Sequence, residues 1–218
     1  MEKITTIKLN FVNAYLISIK NGFILIDTGL NIFRQQLENE LLKAGCLPKN
    51  LRLVILTHGD FDHSGNCSIL QKKYKAKIAM HKADSFMVEK GIRPKRNNRT
   101  LKGKIMMFFS KLNSKKFPFE KFKPDILLTD GQSLNKYGFD AKVIHIPGHT
   151  KGSIGIMTKD GNMFVGDMLG MTNKGKADIS KFIENMEETK KSIEFLKTLK
   201  IKEFYPGHGT SFKMKDVI

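Results

Sequence analysis

Apolar and polar residues alternate through three short runs at the start of the chain, residues 3–9, 11–19 and 22–26, each of a length that suits a β-strand. Asn21-Gly22 between the second and third runs is a hairpin signal, because both residue types tolerate the positive φ that a tight turn needs. Asp27-Thr28-Gly29 then ends the third run abruptly. Asn31 can cap a helix on which Ile32, Leu37, Leu41 and Leu42 fall roughly on one face, with Gly45 and Pro48 as its stop. Residues 51–56 are almost all apolar, as a strand buried on both faces requires. A loop at 57–64 precedes a predicted helix from 65 to about 74 and a short strand at 77–80.

Between 82 and 122 the regular pattern breaks down. Helical stretches such as 102–112 are interrupted by Pro94, Asn97-Asn98 and Pro118, so the segment reads as a helical insertion or lid. Strand patterns resume near 132–134, 139–146, 153–157 and 162–165. An amphipathic helix at about 179–199 and a last strand at 203–205 complete the chain. This order predicts an α/β protein of two sheets packed face to face with helices outside. One domain, 1–218, with an insertion at about 82–122, accommodates it.

Composition narrows the class. The chain has 218 residues, 40% hydrophobic and 27% charged, an ordinary globular balance with enough length for a core that needs no disulfide. The apolar runs are far shorter than a membrane span, and residues 1–4 do not open a basic-then-apolar leader. A cytoplasmic protein without membrane partners is the expectation. Cys46 and Cys67 form no Cys-x-x-Cys pair and read as packing residues. The eleven methionines, including Met106-Met107, read as filling for core or insertion.

The net charge of +17 is unevenly placed. Residues 71–124 hold 17 Lys and Arg against Asp84, Glu89 and Glu120, a balance of 17 − 3 = +14, and the remainder holds 21 against 18, or +3. Such a patch attracts phosphates, nucleic acid or anionic metabolites, although a Lys-rich solvated surface accounts for it equally. Arg93, Lys95, Arg96 and Arg99 are the anion contacts to expect if the insertion faces a site.

The candidate chemistry lies where strands end. Asp27, the run Thr57-His58-Gly59-Asp60-Phe61-Asp62-His63, Pro147-Gly148-His149-Thr150, Gly166-Asp167 and Pro206-Gly207-His208-Gly209 each follow a strand and present His or Asp. Strand-end loops are where a rigid scaffold collects ligand groups, and imidazole with carboxylate suits zinc, iron or manganese. Of the six histidines, His81 and His145 match no such position and read as packing or supporting residues. Phe61 reads as packing beneath the loop that carries it.

These five motifs, in this order and covering nearly the whole chain, resemble the metallo-β-lactamase superfamily, in its glyoxalase II-like branch. The resemblance implies a four-layer αββα sandwich of two mixed β-sheets flanked by helices. It also implies a hydrolase with a binuclear metal site of two divalent ions, zinc first among them. One ion would take His58, Asp60 and His149, and the other Asp62, His63 and His208, with Asp167 between them and Asp27 orienting a ligand from behind. The family pattern is His-x-His-x-Asp-His, so Asp60 stands where a His is usual. A hard anionic oxygen in place of a neutral nitrogen leans that site towards iron or manganese. A bound metal makes hydroxide available near neutral pH, and Asp62 is the candidate catalytic residue to orient it. Cleavage of a small ester, thioester or lactone is the leading expectation; a phosphodiesterase or nuclease acting through the basic segment is the alternative. The expected partner is thus a small molecule, neutral or anionic, with nucleic acid less favoured. The short stretch after His208 leaves no room for the helical domain that holds glutathione in glyoxalase II-type enzymes, so glutathione thioesters are not the expected substrate.

Overall fold

The computed structural model describes residues 3–92, 97–98, 118–171 and 175–217. Six strands make the first sheet: β1 (Lys3–Leu9), β2 (Val12–Ile19), β3 (Gly22–Ile26), β4 (Leu51–Ile55), β5 (Lys77–His81) and β7 (Ile126–Leu128). They lie in the order β1-β2-β3-β4-β5-β7. β1, β2 and β3 pair antiparallel, and β3, β4, β5 and β7 continue in parallel, so the sheet is mixed. The second sheet is built from β8 (Ala141–His145), β9 (Ile154–Thr158), β10 (Asn162–Gly166) and β14 (Glu203–Pro206), in the order β14-β10-β9-β8. There β14 joins β10 in parallel while the other pairs are antiparallel.

Alternation along the strands builds the layers. In β2, Tyr15 and Ile17 face the second sheet, whereas Ala14 and Leu16 face the core beneath α1 (Arg34–Lys43). Leu53 and Ile55 of β4 likewise join the inter-sheet core with Val143, Ile156 and Phe164, and Val54 turns to the α1 side with Leu37 and Leu41. Ile144 and Val165 leave the second sheet on its far side, against Ile193 and Leu196 of α5 (Met186–Lys197). Each such side chain contributes ~1.5–3 kcal/mol on full burial, so patterning of this kind fixes which face each strand shows. Helix, sheet, sheet and helix therefore stack in four layers, which is the architecture the motifs implied.

Local structure departs from the sequence expectation in several places. The stretch read as a loop at 57–64 contains a helical turn, α2 (Phe61–Ser64), and the helix expected at 65–74 is broken into α3 (Cys67–Ile69) and a wider turn at Leu70–Tyr74. The cause is Asn66, whose side-chain amide donates to the carbonyls of Thr28 and Leu30 and holds the chain against the β3 end. The late helix begins only at Met186, because the Asn185 side chain accepts the N–H groups of Glu187 and Glu188 and caps it there. Upstream, β11 (Leu169–Met171) pairs with β12 (Ala177–Ile179), and β13 (Phe182–Ile183) pairs with β6 (Asn97–Asn98). The short strand β7 is too brief to read beside Pro124, and residues 132–134 supply only the bridge from Ser133 to Lys142.

Within the expected insertion, residues 82–90 form a turn at Lys82–Asp84 and α4 (Ser85–Lys90). The helix expected at 102–112, Met106-Met107, and Arg93, Lys95, Arg96 and Arg99 lie outside the described residues. No helix among the described residues is long and apolar enough to cross a membrane.

Candidate metal centre

Seven side chains from four strand ends meet at one edge of the sandwich. His58 and Asp60 follow β4, with Asp62 and His63 in α2; His149 follows β8, Asp167 follows β10 and His208 follows β14. They fall into three overlapping groups whose ligand atoms lie within 4.8 Å of one another: His58, Asp60 and His149; His58, His63 and Asp167; and Asp62, His63 and His208. Asp167 sits centrally, with Oδ1 3.2 Å from His63 Nε2 and Oδ2 3.1 Å from His208 Nε2 and 3.8 Å from His149 Nε2. Asp60 Oδ2 lies 3.1 Å from His149 Nε2 and 3.4 Å from His58 Nε2. Asp62 Oδ2 lies 3.6 Å from His208 Nε2.

Each imidazole is turned the same way by the partner of its other nitrogen. His149 Nδ1 donates to the Phe182 carbonyl at 2.6 Å, and His208 Nδ1 to the Phe11 carbonyl at 2.7 Å. His63 Nδ1 donates to Asp27 Oδ2 at 2.8 Å. The Thr57 hydroxyl donates to Asp27 Oδ2, so it must accept from His58 Nδ1, 2.9 Å away. A carbonyl or carboxylate can only accept, so a proton stays on Nδ1 and Nε2 is the nitrogen turned inward in all four rings.

The loops come this close because glycines permit it. Gly166 holds φ +52°, and a Cβ there would collide with the Thr57 side chain; a Cβ on Gly207 would strike Asp167 Oδ1 and His63. Asp27 itself sits at φ 57°, a left-handed conformation that Asp tolerates, and also accepts the Thr57 N–H.

The donor set fits divalent cations. His58 Nε2, His63 Nε2 and Asp167 Oδ1 are buried with no hydrogen-bond partner, although the last two approach one another closely. A buried polar atom without a partner costs ~1–3 kcal/mol, and four imidazole nitrogens beside three carboxylates are the donors that zinc, iron and manganese take.

Electrostatics point the same way. Burial opposes charge on His63, but the carboxylates of Asp167 and Asp27 outweigh it and hold the ring well above the ordinary histidine range. Burial likewise opposes charge on His208, yet Asp167 lifts it to about 9. Against its own desolvation, Asp167 is held well below the usual carboxylate range by His208 and His63. Without cations, then, the carboxylates keep protons on imidazoles that a metal needs neutral. His208 stabilises the metal-free fold fully below its ordinary value near 6.5, and that contribution is lost as pH rises through about 9. Metal uptake has the opposite sign: it displaces the proton, so affinity is expected to rise up to about pH 9, by about tenfold per unit for each proton displaced. Calorimetric titration of the stripped protein at pH 7 in buffers of different ionisation enthalpy should show proton release. Heats that do not depend on the buffer would contradict it.

The remaining sequence candidates fall into place around this cluster. His81 and His145 stack on each other, 4.3 Å between centroids, and join none of the three groups. Phe61 stacks on Phe119 at 4.0 Å and so ties the far end of the insertion to the metal loop. Arg34 pairs with Glu120 in the same region. Cys46 and Cys67 are buried, and burial pushes the Cys46 thiol up to about 12. Sequence reasoning missed Thr57, which relays Asp27 to His58. It also missed Asn13 and Tyr15, whose side chains donate to the Pro206 carbonyl and anchor the His208 loop. Phe11 was missed as well; half exposed, it stacks on the His208 ring at the open side of the cluster.

Comparison with known proteins agrees with this arrangement. The model of the family described as "Metallo-beta-lactamase superfamily" matches residues 7–208. A hydroxyacylglutathione hydrolase, GloC, of Haemophilus influenzae is 29% identical over 138 residues, 62% of this chain and 58% of that protein, so the match spans less than two thirds of the relative. The human acyl-coenzyme A thioesterase MBLAC2 is 24% identical over 217 residues, 93% of this chain and 75% of the relative. Among solved structures, the metallo-beta-lactamase family protein TTHA1429 of Thermus thermophilus shares the fold with a TM-score of 0.73, at 19% identity, covering 97% of this chain and 74% of that one. The chain belongs to the metallo-β-lactamase superfamily of metal-dependent hydrolases.

Proposed function

We propose that this chain hydrolyses a thioester, or a related small ester or lactone, at a centre of two divalent ions. The observation that carries the reading is the shared inward orientation of four Nε2 atoms around three carboxylates. In this reading His58, Asp60 and His149 hold one ion; Asp62, His63 and His208 hold the other; and Asp167 lies between them. Bound metal supplies hydroxide near neutral pH and polarises the substrate oxygen. Zinc is the first expectation, with iron or manganese compatible with the harder Asp60 site.

Asp62 is the catalytic residue in this scheme. Its side chain is 29% exposed against 13% for Asp60 and 8% for Asp167, so it faces the open side where substrate and water arrive. There it can orient the attacking water and accept its proton. Phe11, half exposed and stacked on His208, offers an apolar rim for the acyl portion.

The choice of thioester is supported by the two named relatives, one a hydroxyacylglutathione hydrolase and one an acyl-coenzyme A thioesterase. The basic segment fits an anionic carrier group. Its strand β6 pairs with β13, and β13 holds His149 through the Phe182 carbonyl, so Arg96 and Arg99 flank in sequence a strand anchored beside the centre. We read 82–122 as an insertion in a single domain.

A panel of acyl-coenzyme A, acyl-glutathione, uncharged ester, lactone and phosphodiester substrates tests this. The expected result is fastest turnover of an anionic thioester, with KM rising as salt increases and uncharged ester turnover almost indifferent to salt. Turnover confined to the phosphodiester, or nucleic-acid binding that weakens steeply with salt, would favour the phosphodiesterase reading that the +14 segment also supports.

A further inference from the structure

Asp84 is not one of the seven clustered residues, yet its carboxylate is filled with donors from two of their loops. It ends the turn after β5 and is 2% exposed. Oδ2 accepts the Gly59 N–H at 2.9 Å and the Thr150 hydroxyl at 2.7 Å, and Oδ1 accepts the Gly152 N–H at 2.8 Å. Gly59 lies between His58 and Asp60, and Thr150 follows His149. Both loops approach as near as backbone allows: a Cβ on Gly152 would collide with the Asp84 carboxylate, and Gly59 packs on Met87. A carboxylate is costly to bury unless donors satisfy it, and an apolar side chain would serve packing alone.

We infer that Asp84 is the positioning residue of the half-site formed by His58, Asp60 and His149. It clamps the loop carrying the first two ligands to the loop carrying the third, and so sets the distance between them. The other half-site is not touched by Asp84: Asp27 orients His63 directly and reaches His58 only through Thr57, and the Phe11 carbonyl and Asn13 hold the His208 loop. Loss of Asp84 therefore loosens one half-site and spares the other. The inference rests on the two-ion reading.

Zinc titration of the stripped protein against a chromophoric chelator tests it, with wild type, Asp84→Asn and Asp125→Asn side by side. Asparagine offers an NH2 where Asp84 has an acceptor, so at least one donor loses its partner. The expected result for Asp84→Asn is one ion weakened about 10–100-fold and the other unchanged. Asp125 is the control, a carboxylate at the opposite end of β5 that accepts from Ile78 N, Gln71 Nε2 and Lys77 Nζ. Its Asn variant is expected to bind both ions as wild type does. Should Asp84→Asn fail to fold, Thr150→Val and Thr150→Ser decide: the valine should weaken the same single ion and the serine should restore it. Wild-type affinity in Asp84→Asn, equal weakening of both ions, the same effect in Asp125→Asn, or identical behaviour of the two Thr150 variants would overturn the assignment. A wild type that takes up fewer than two ions would contradict the two-ion reading itself, and this inference with it.

Discussion

Asp62→Ala and His63→Ala are each expected to lower kcat/KM by at least about a thousandfold, ~4 kcal/mol of transition-state stabilisation, while leaving the fold intact. The two substitutions reach that result differently. Asp62 is partly open to solvent, so its removal deletes a ligand and proton acceptor without disturbing the core. His63 is fully buried between Asp27 and Asp167, so its loss leaves both carboxylates facing a void and strips the ion they help hold. Neither lies in the three apolar clusters that join the layers, so circular dichroism and a cooperative melt should persist. Steady-state kinetics beside thermal unfolding checks both halves. Full activity in both variants would remove the metal mechanism.

Asp27→Ala is expected to have the largest effect on stability. The carboxylate accepts three buried donors, Thr57 N–H, the Thr57 hydroxyl and His63 Nδ1, and the residue holds φ 57°. Each abandoned donor costs ~1–3 kcal/mol, and alanine tolerates the left-handed conformation less well than aspartate does. Because such terms overlap, a total of about 4–6 kcal/mol is reasonable, which in a chain of this size lowers Tm by about 10–20 °C. The metal-free protein should show this shift, since it arises from hydrogen bonds and backbone. Metal affinity should fall separately, about 10–100-fold, as His63 and His58 lose their orientation. Asp27→Asn keeps the tolerance for positive φ and one acceptor, so it should fall between wild type and alanine. An alanine variant that melts with wild type and binds metal equally well would show that Asp27 does not orient the centre.

Much of this was legible in the chain because each feature has a period or a residue type. Alternation in β2 and the doubly buried run of β4 mark the sheets, and His and Asp after each strand mark the edge where ligands gather. What escaped had no such mark. The acceptors that orient His149 and His208 are the carbonyls of Phe182 and Phe11, and a carbonyl belongs to every residue. Thr57 acts through one hydroxyl whose partners lie 30 residues away and next door. Asp84 did carry a signal, an acid at a strand end within a basic stretch, but the count of charges absorbed it. The broken helix after α2 depends on Asn66 reaching back to Thr28, a contact that only the assembled sheet creates.

Metal analysis of the purified protein, with Asp62→Ala and His63→Ala alongside, bears most directly on the two-ion centre. Two divalent ions per chain in wild type, fewer in both variants, and thioester turnover that a chelator abolishes and added metal restores are expected. Less than one ion per chain, together with hydrolysis that survives chelation, would contradict it.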